Sequence, residues 1–486
     1  MRRWWARAAT RVASGLVILA AAVGATVGVG AVSSRGAIEA AYPHPMEVTD
    51  RVRAAVAAAP RPAYDPKRPT AVVLIGAEGA NGADVLAPYE VLAASGEFNV
   101  YTAAPQRRPL PLTGGLDVVP DHTFSELDQK FPEGVDVVVI PEVPDAGKPS
   151  SDPLRDWILR QAAHGATVVG VCVGVELLAQ TGLLDHRPAT SNWFKLGMGG
   201  MAKQYPNVRW VTDVRYVDDG QVITTAAVLS GVDGALRVVE RRAGEDAARR
   251  AAAAVRWPYY RPGRAAPVPG SRFRVSSDSV VLLNLGYRDP APQGVVLTGG
   301  VGETELASAF RPYTALSFVA QTHTVTLDGG PIRSRHGLTF VPRSALGDVS
   351  GELDRLVVPG HSAARNPDPA LARAAGSAGL PVTYLHTRSE FAFDGALRDV
   401  AATTDVATAT WVAKTLEYPV RTELSGPSWP WELAARALVV GIVGGEIAAV
   451  IAWVARRRFL ARRSRKRRES GTPGRSGNRG AGATTS

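Results

Sequence analysis

Short runs of consecutive apolar residues alternate with amphipathic stretches through the first half of the chain. Residues 71–75, 99–102, 135–140 and 167–171 are near-continuous apolar runs, as expected of parallel strands covered on both faces. Residues 85–94 and 153–164 carry helical periodicity between these runs, and 237–255 closes the unit. This alternation predicts an α/β layered domain. A helical stalk over 47–59 and a proline-rich join over 60–69 come before it, and a link rich in proline and glycine follows at 258–270. Residues 271–294, with Val280-Val281-Leu282-Leu283, read as a strand and loop.

A weak repeat extends the pattern. Val72-Val73-Leu74 with Pro88-Tyr89 and Leu92 is echoed by Val295-Val296-Leu297 with Pro312-Tyr313 and Leu316. In the same order, Gly115-Leu116 matches Gly337-Leu338, Val139-Ile140-Pro141 matches Val357-Val358-Pro359, and Asp152-Pro153 matches Asp368-Pro369. Each pair alone is at chance level; the ordered series points to duplication. The copies differ where chemistry would sit. Four residues before the proline the first has Asp84 and the second Ser308; seven after a glycine the first has Cys172 and the second His386. The second copy also lacks the helix after that turn and roughly forty residues beyond it, judged against ordinary connection lengths. It reads as a degenerate scaffold without a nucleophile.

The ends change the picture. Residues 12–33 are apolar or small, carry no charge and follow Arg2, Arg3, Arg7 and Arg11. They are long enough to span a bilayer; the alternative is a signal peptide cleaved near Val29-Gly30-Ala31. Residues 437–455 form a second span between Trp429 and Trp431 on one side and Trp453 with Arg456-Arg457-Arg458 on the other. The positive-inside rule places both arginine-rich ends in the cytoplasm and 34–436 outside it, a two-pass topology at the cell membrane. Glycines four apart, Gly24 with Gly28 and Gly441 with Gly445, would let the helices approach closely, and Glu446 is an ionisable group within the second span. Of the formal charge of +10, about +5 belongs to residues 1–35 and about +10 to 456–486, leaving about −5 between them. The folded region therefore has no charge case for nucleic acid. The organisation expected is a basic N-terminus 1–11, span 12–33, stalk 34–69, α/β domain 70–257, linker 258–294, second copy 295–419, juxtamembrane segment 420–436, span 437–455 and basic disordered tail 456–486.

A single cysteine among 486 residues excludes an intrachain disulfide. Cys172 sits where the 167–171 run meets a helical stretch at 175–179. Either it packs as a small hydrophobe, or a strand–turn–helix lifts the thiol above the sheet edge, where helix amides would make it acidic and nucleophilic. His122, His164 and His186 read as surface or loop residues rather than bases. Metal-ligand spacing, a phosphate-cradling glycine loop and a helix-turn-helix are all lacking, so no metal and no cofactor is expected.

Asp84-Val85-Leu86-Ala87-Pro88-Tyr89-Glu90-Val91-Leu92, Val171-Cys172-Val173-Gly174, Gly182-Leu183-Leu184-Asp185, Arg187, Ala189-Thr190 and Trp193 resemble the PfpI-type class I glutamine amidotransferase-like superfamily. The branch most similar is isocyanide hydratase with the ligand-binding domains of AraC-type regulators, and 216–220, 224–226 and 231–233 resemble it too. The resemblance covers 70–256 well and 295–417 faintly. It implies a flavodoxin-like parallel-sheet sandwich with Cys172 on a nucleophile elbow and Asp84 reaching it from the loop after the first strand. A protonated carboxyl there would donate to the thiolate and relay protons; the alternative is that Asp84 caps the helix it opens.

Three departures concern the pocket. Val173 stands where the hydratase has threonine, although its amide would still serve an oxyanion beside Gly174. Asn192 stands where the branch has histidine, and Glu142 where a glycine offers backbone amides. Glu142 reads as a solvated loop charge or as a second carboxylate at the pocket rim. Valine after the cysteine also disfavours the protease variant of the superfamily, which has histidine there. Three functions follow from the resemblance: binding or sensing of a small molecule or oxidant at Cys172, hydratase or hydrolase turnover of an electrophile, or a non-catalytic membrane platform. The partners expected are a small-molecule ligand or electrophile, the membrane and a second copy in a homodimer.

Overall fold

The computed structural model describes residues 2–268 and 272–469, so the end of the basic tail, from 470 on, lies outside the described residues. The chain divides into a unit built on the two terminal helices and a compact unit of residues 33–433.

The larger unit carries a seven-stranded sheet in the order Tyr216–Asp219, Val222–Thr225, Thr167–Gly170, Val137–Ile140, Thr70–Leu74, Asn99–Ala104, His122–Thr123. All neighbours are parallel except the first pair, which is antiparallel. Every residue of Thr70–Leu74 and Val137–Ile140 is buried, because a run of β-branched side chains fills both faces of a sheet that helices cover. This is the mixed α/β architecture of a flavodoxin-like fold. The helix expected over 237–255 is two helices, Ser230–Ala243 and Glu245–Ala254. Gly244 divides them at φ +88°, a conformation glycine adopts without cost. Residues 280–283 are not a strand. They open the helix Val280–Tyr287, where Asn284 Nδ2 donates to Thr408 Oγ1 at 3.0 Å; a short apolar run fits either element by periodicity alone.

A second, five-stranded parallel sheet has the order Ser344–Ala345, Ala320–Thr326, Ala291–Val296, Arg355–Val358, Val382–Tyr384. From Tyr384 the chain passes to the helices Ala392–Thr403 and Val406–Thr415. A four-stranded antiparallel sheet joins the two regions: Thr339–Val341 pairs with Leu116–Val119, Phe340 opposite Val118. Beside it Arg343 clasps the buried Asp117 through two hydrogen bonds of 2.7 and 3.2 Å. Glu90 of the first region accepts the Thr304 N–H at 2.7 Å and pairs with Arg335 at 3.0 Å.

The terminal helices are Arg2–Ala41 and Trp431–Glu469. Each contains a segment, Leu19–Glu39 and Trp431–Phe459, long and apolar enough to cross a membrane by length and composition. Gly441 approaches Thr26, and a Cβ on Gly444 would overlap that of Ala25, the close contact small residues permit. The expected glycines Gly24 and Gly28 take no part in it: a Cβ on either would meet nothing.

Candidate functional site at Cys172

Cys172 follows the Thr167–Gly170 strand with φ +54°, a left-handed backbone that costs a non-glycine residue of order 1 kcal/mol. Two hydrogen bonds hold the strained turn: Cys172 N–H donates to Thr225 Oγ1 at 3.3 Å, and Ser191 Oγ donates to the Cys172 carbonyl at 2.7 Å. Gly174 lets the turn close on the neighbouring strand, since a Cβ there would collide with the Ile140 carbonyl and lie 2.6 Å from Pro141. The geometry is that of a nucleophile elbow.

The thiol itself departs from expectation. Cys172 is 1% exposed. Burial pushes its pKa well above the ordinary range, and the charges of Asp84 and Glu142 push the same way against Arg311 and a hydrogen bond from Val173 N–H. The helix expected to acidify it is short: a 3₁₀ turn, Cys172–Gly174, leads into Val175–Gln180, so few aligned amides face the sulfur. Gly174 cannot serve as an oxyanion donor while its N–H is bonded to the Val171 carbonyl at 2.8 Å. The Val173 N–H is directed at the thiol, to which it donates a hydrogen bond.

Asp84 is fully buried in the first turn of the Gly82–Ser95 helix, and the cap is Asn81, whose Oδ1 accepts the Ala83 N–H at 3.1 Å. Asp84 Oδ2 accepts the Glu142 N–H at 3.1 Å, while Oδ1 is buried and meets no partner among the described residues. Burial, reinforced by the Glu142 charge, holds this carboxyl well above its usual pKa, with Arg311 opposing. Burial thus disfavours the charged form of both the thiol and the acid.

Glu142 is not a solvated loop charge. Its Oε2 accepts from Asn81 Nδ2 at 3.1 Å and pairs with Arg311 at 3.3 Å. Arg311, just past the Glu303–Phe310 helix of the second region, also donates to Tyr42 Oη at 2.7 Å. Burial opposes its charge, but Tyr42, Glu142 and Asp84 together hold its pKa above the usual value. Neither Arg311 nor Tyr42 was expected; the only sequence signal was an arginine in the repeat where the first copy has Ala87. Asn192 caps Trp193–Leu196, its Oδ1 accepting the Phe194 and Lys195 amides at 3.1 and 3.4 Å. His122, expected at the surface, is buried at the sheet edge with its ring 4.9 Å from Tyr101, and burial lowers its pKa to about 4.

The counterpart positions also meet. Ser308 Oγ lies 3.1 Å from His386 Nε2. Gly360 N–H donates to His386 Nδ1 at 2.7 Å, so Nε2 bears the proton and cannot take one from serine. Ser308 instead donates to the Glu305 carbonyl at 2.8 Å. Elsewhere Glu90, Glu303 and His336 bring ligand atoms within 4.8 Å of one another. Arg335 already supplies a cation there, 3.0 Å from both Glu90 and Glu305.

Residues 70–241 match the DJ-1/PfpI family. The isonitrile hydratase of Pseudomonas putida is 30% identical over 166 residues, 34% of this chain and 68% of the relative. The chain belongs to the DJ-1/PfpI family. Among solved structures, an AraC family transcriptional regulator from Pseudomonas putida is 18% identical at a TM-score of 0.33, covering 39% of this chain and 100% of its own. Drosophila melanogaster DJ-1beta is 21% identical at a TM-score of 0.33, covering 39% and 97%. Within this DJ-1/PfpI domain the acid can be tested directly. Asp84→Asn should leave the fold intact and move the pH profile of Cys172 alkylation to lower pH, because it removes a charge that helps hold the thiol pKa up. An unchanged profile would mean that Asp84 is already neutral in the resting protein.

Proposed function

We propose that the protein is a membrane-anchored, extracytoplasmic sensor whose Cys172 site binds a small molecule or oxidant and reports it along the chain to the membrane helix. The observation that carries this reading is the chain of contacts from Tyr42 through Arg311 and Glu142 to Asp84. Tyr42 directly follows the helix Arg2–Ala41, so a displacement of Arg311 at the site is felt at the residue next to the membrane segment. The sealed, neutral thiol favours sensing over continuous turnover: the site is closed at rest and opens when the Arg311–Glu142 pair is broken. The second region acts here as a degenerate copy. Its strand order around Ala291–Val296 parallels that around Thr70–Leu74, its Ser308–His386 pair is inert, and it lends Arg311 to the first copy's site.

The test is alkylation of Cys172 by iodoacetamide in the full chain in detergent. Slow labelling is expected in the wild type. Tyr42→Phe, which loosens Arg311, should speed it several-fold with the fold unchanged; identical rates would sink the coupling. Labelling with a membrane-impermeant reagent on intact cells, and protease shaving that spares the basic tails, check the two-pass orientation.

Hydratase activity is the second reading, favoured by the identity to the isonitrile hydratase and by the Asp84–Cys172 pair. Isocyanide consumption that vanishes in Cys172→Ser would establish it. Absence of turnover together with a stable adduct on Cys172 would leave the sensor.

A further inference from the structure

A cavity of about 330 Å³ lies beside the elbow, lined among others by Ser191, Trp193, Trp210, Asp213, Glu417 and Arg272. Cys172, Asp84 and Glu142 are not among its lining residues, so it is distinct from the thiol site. Ser191 links the two, since the same hydroxyl donates to the Cys172 carbonyl.

The wall holds polar atoms that the protein does not satisfy. Glu417 is 8% exposed, and among the described residues neither its Oε2 nor the buried Trp193 Nε1–H meets a hydrogen-bond partner, although the Ser230 hydroxyl is close enough to favour the Glu417 charge. A buried carboxyl without a donor is costly, and such exceptions call for an explanation. Asp213 places a second carboxylate on the same wall. Two nearby cations are engaged, Arg215 with Asp233 at 3.4 Å and with the Glu417 carbonyl at 3.1 Å, and Lys414 with Asp278 at 2.5 Å, while Arg272 belongs to the wall itself. Indole surfaces and Leu196, Ala202, Ala226 and Val268 supply the apolar part of the wall, beside Thr190, Thr212 and Arg272.

We infer that this cavity binds a small amphiphilic amine, an ammonium group on an aromatic or aliphatic body that also carries a hydrogen-bond acceptor. The ammonium sits between Glu417 and Asp213, the acceptor takes the Trp193 N–H, and the apolar body lies against the indoles, whose faces attract cations. Selectivity follows from charge: a neutral isostere leaves the Glu417 carboxyl unsatisfied, and an anion meets Asp213 and, above about pH 8, the ionised Glu417 as well, with Arg272 as the cation on the wall.

Burial raises the Glu417 pKa to about 8, with Asp213 adding to the rise and Arg215 opposing it. Below that value the carboxyl is protonated in the empty cavity and an ammonium must displace the proton. Binding therefore strengthens as pH rises towards about 8 and levels off above it.

The experiment measures tryptophan fluorescence and thermal shift of the full chain in detergent with three probes of one shape. They are 2-amino-1-phenylethanol, the neutral 1-phenylpropan-1-ol and the anion mandelate. The amine should bind about tenfold or more tightly than the alcohol, as expected for a part-buried charge pair, and mandelate not at all. Glu417→Gln should remove that preference and its pH dependence, while Cys172→Ser should keep both, which separates this site from the thiol reading. Equal binding of amine and alcohol, tighter binding of mandelate through Arg272, or no binding of any probe to the wild type would each overturn the inference.

Discussion

Arg311→Met is expected to destabilise the folded unit by about 3 kcal/mol and to open the Cys172 site to alkylation. Methionine keeps the length of the side chain and removes its charge. What remains is Glu142, which is 18% exposed at its side chain and would face the buried Asp84 without a cation. Breaking one partner of such a pair costs more than the pair contributes, because the surviving charge stays desolvated. The protonation state of Asp84 alters the result in a checkable way. If Asp84 is protonated, Glu142 is the only anion left stranded, and Glu142→Gln in the Arg311→Met background should recover part of the loss. A double-mutant cycle by chemical denaturation measures this, since residues in contact are not additive. Simple additivity would mean that the pair is not coupled, and the latch assigned to it would fail.

The elements most legible in the sequence were those whose reasons are local. The buried runs ending at Leu74, Ile140 and Gly170 announce parallel strands, and the small-residue turn at Cys172 announces the elbow. Even the counterpart positions Ser308 and His386, found by counting from proline and glycine, lie 3.1 Å apart. The chemistry of the thiol was not legible in the same way. Its pKa depends on burial and on charges from three separate elements, one of which, Arg311, reaches Glu142 from 169 residues away. No local pattern marks such a partner. Likewise Glu142 and Asn192 are ordinary polar residues until folding supplies a cation to the first and a helix N-terminus to the second. Val280-Val281-Leu282-Leu283 failed for a different reason: four apolar residues carry no period, and packing against the Val406–Thr415 helix decided the matter.

Gly174→Ala should cost about 3 kcal/mol, at the upper end for an added methyl in a packed core. Backbone conformation predicts the opposite sign. Gly174 sits at φ −56° and ψ −20°, where alanine is at ease, and glycine-to-alanine changes at such positions stabilise by about 0.4–1 kcal/mol through the unfolded chain. Sterics override that gain because the atoms in the way are main chain: the Ile140 carbonyl and Pro141, with 2.6 Å to the Pro141 carbonyl carbon. A side chain could rotate aside; the end of the Val137–Ile140 strand cannot without moving Glu142, whose N–H anchors Asp84. Stability and the closed thiol should therefore be lost together, with faster alkylation of Cys172 accompanying the fall in denaturation midpoint. Gly347→Ala is the control. A Cβ there meets nothing within 4 Å, so the entropic gain alone remains and the midpoint should hold or rise slightly. If both substitutions behave like the control, the elbow does not press on the strand, and the closed resting state loses its structural basis.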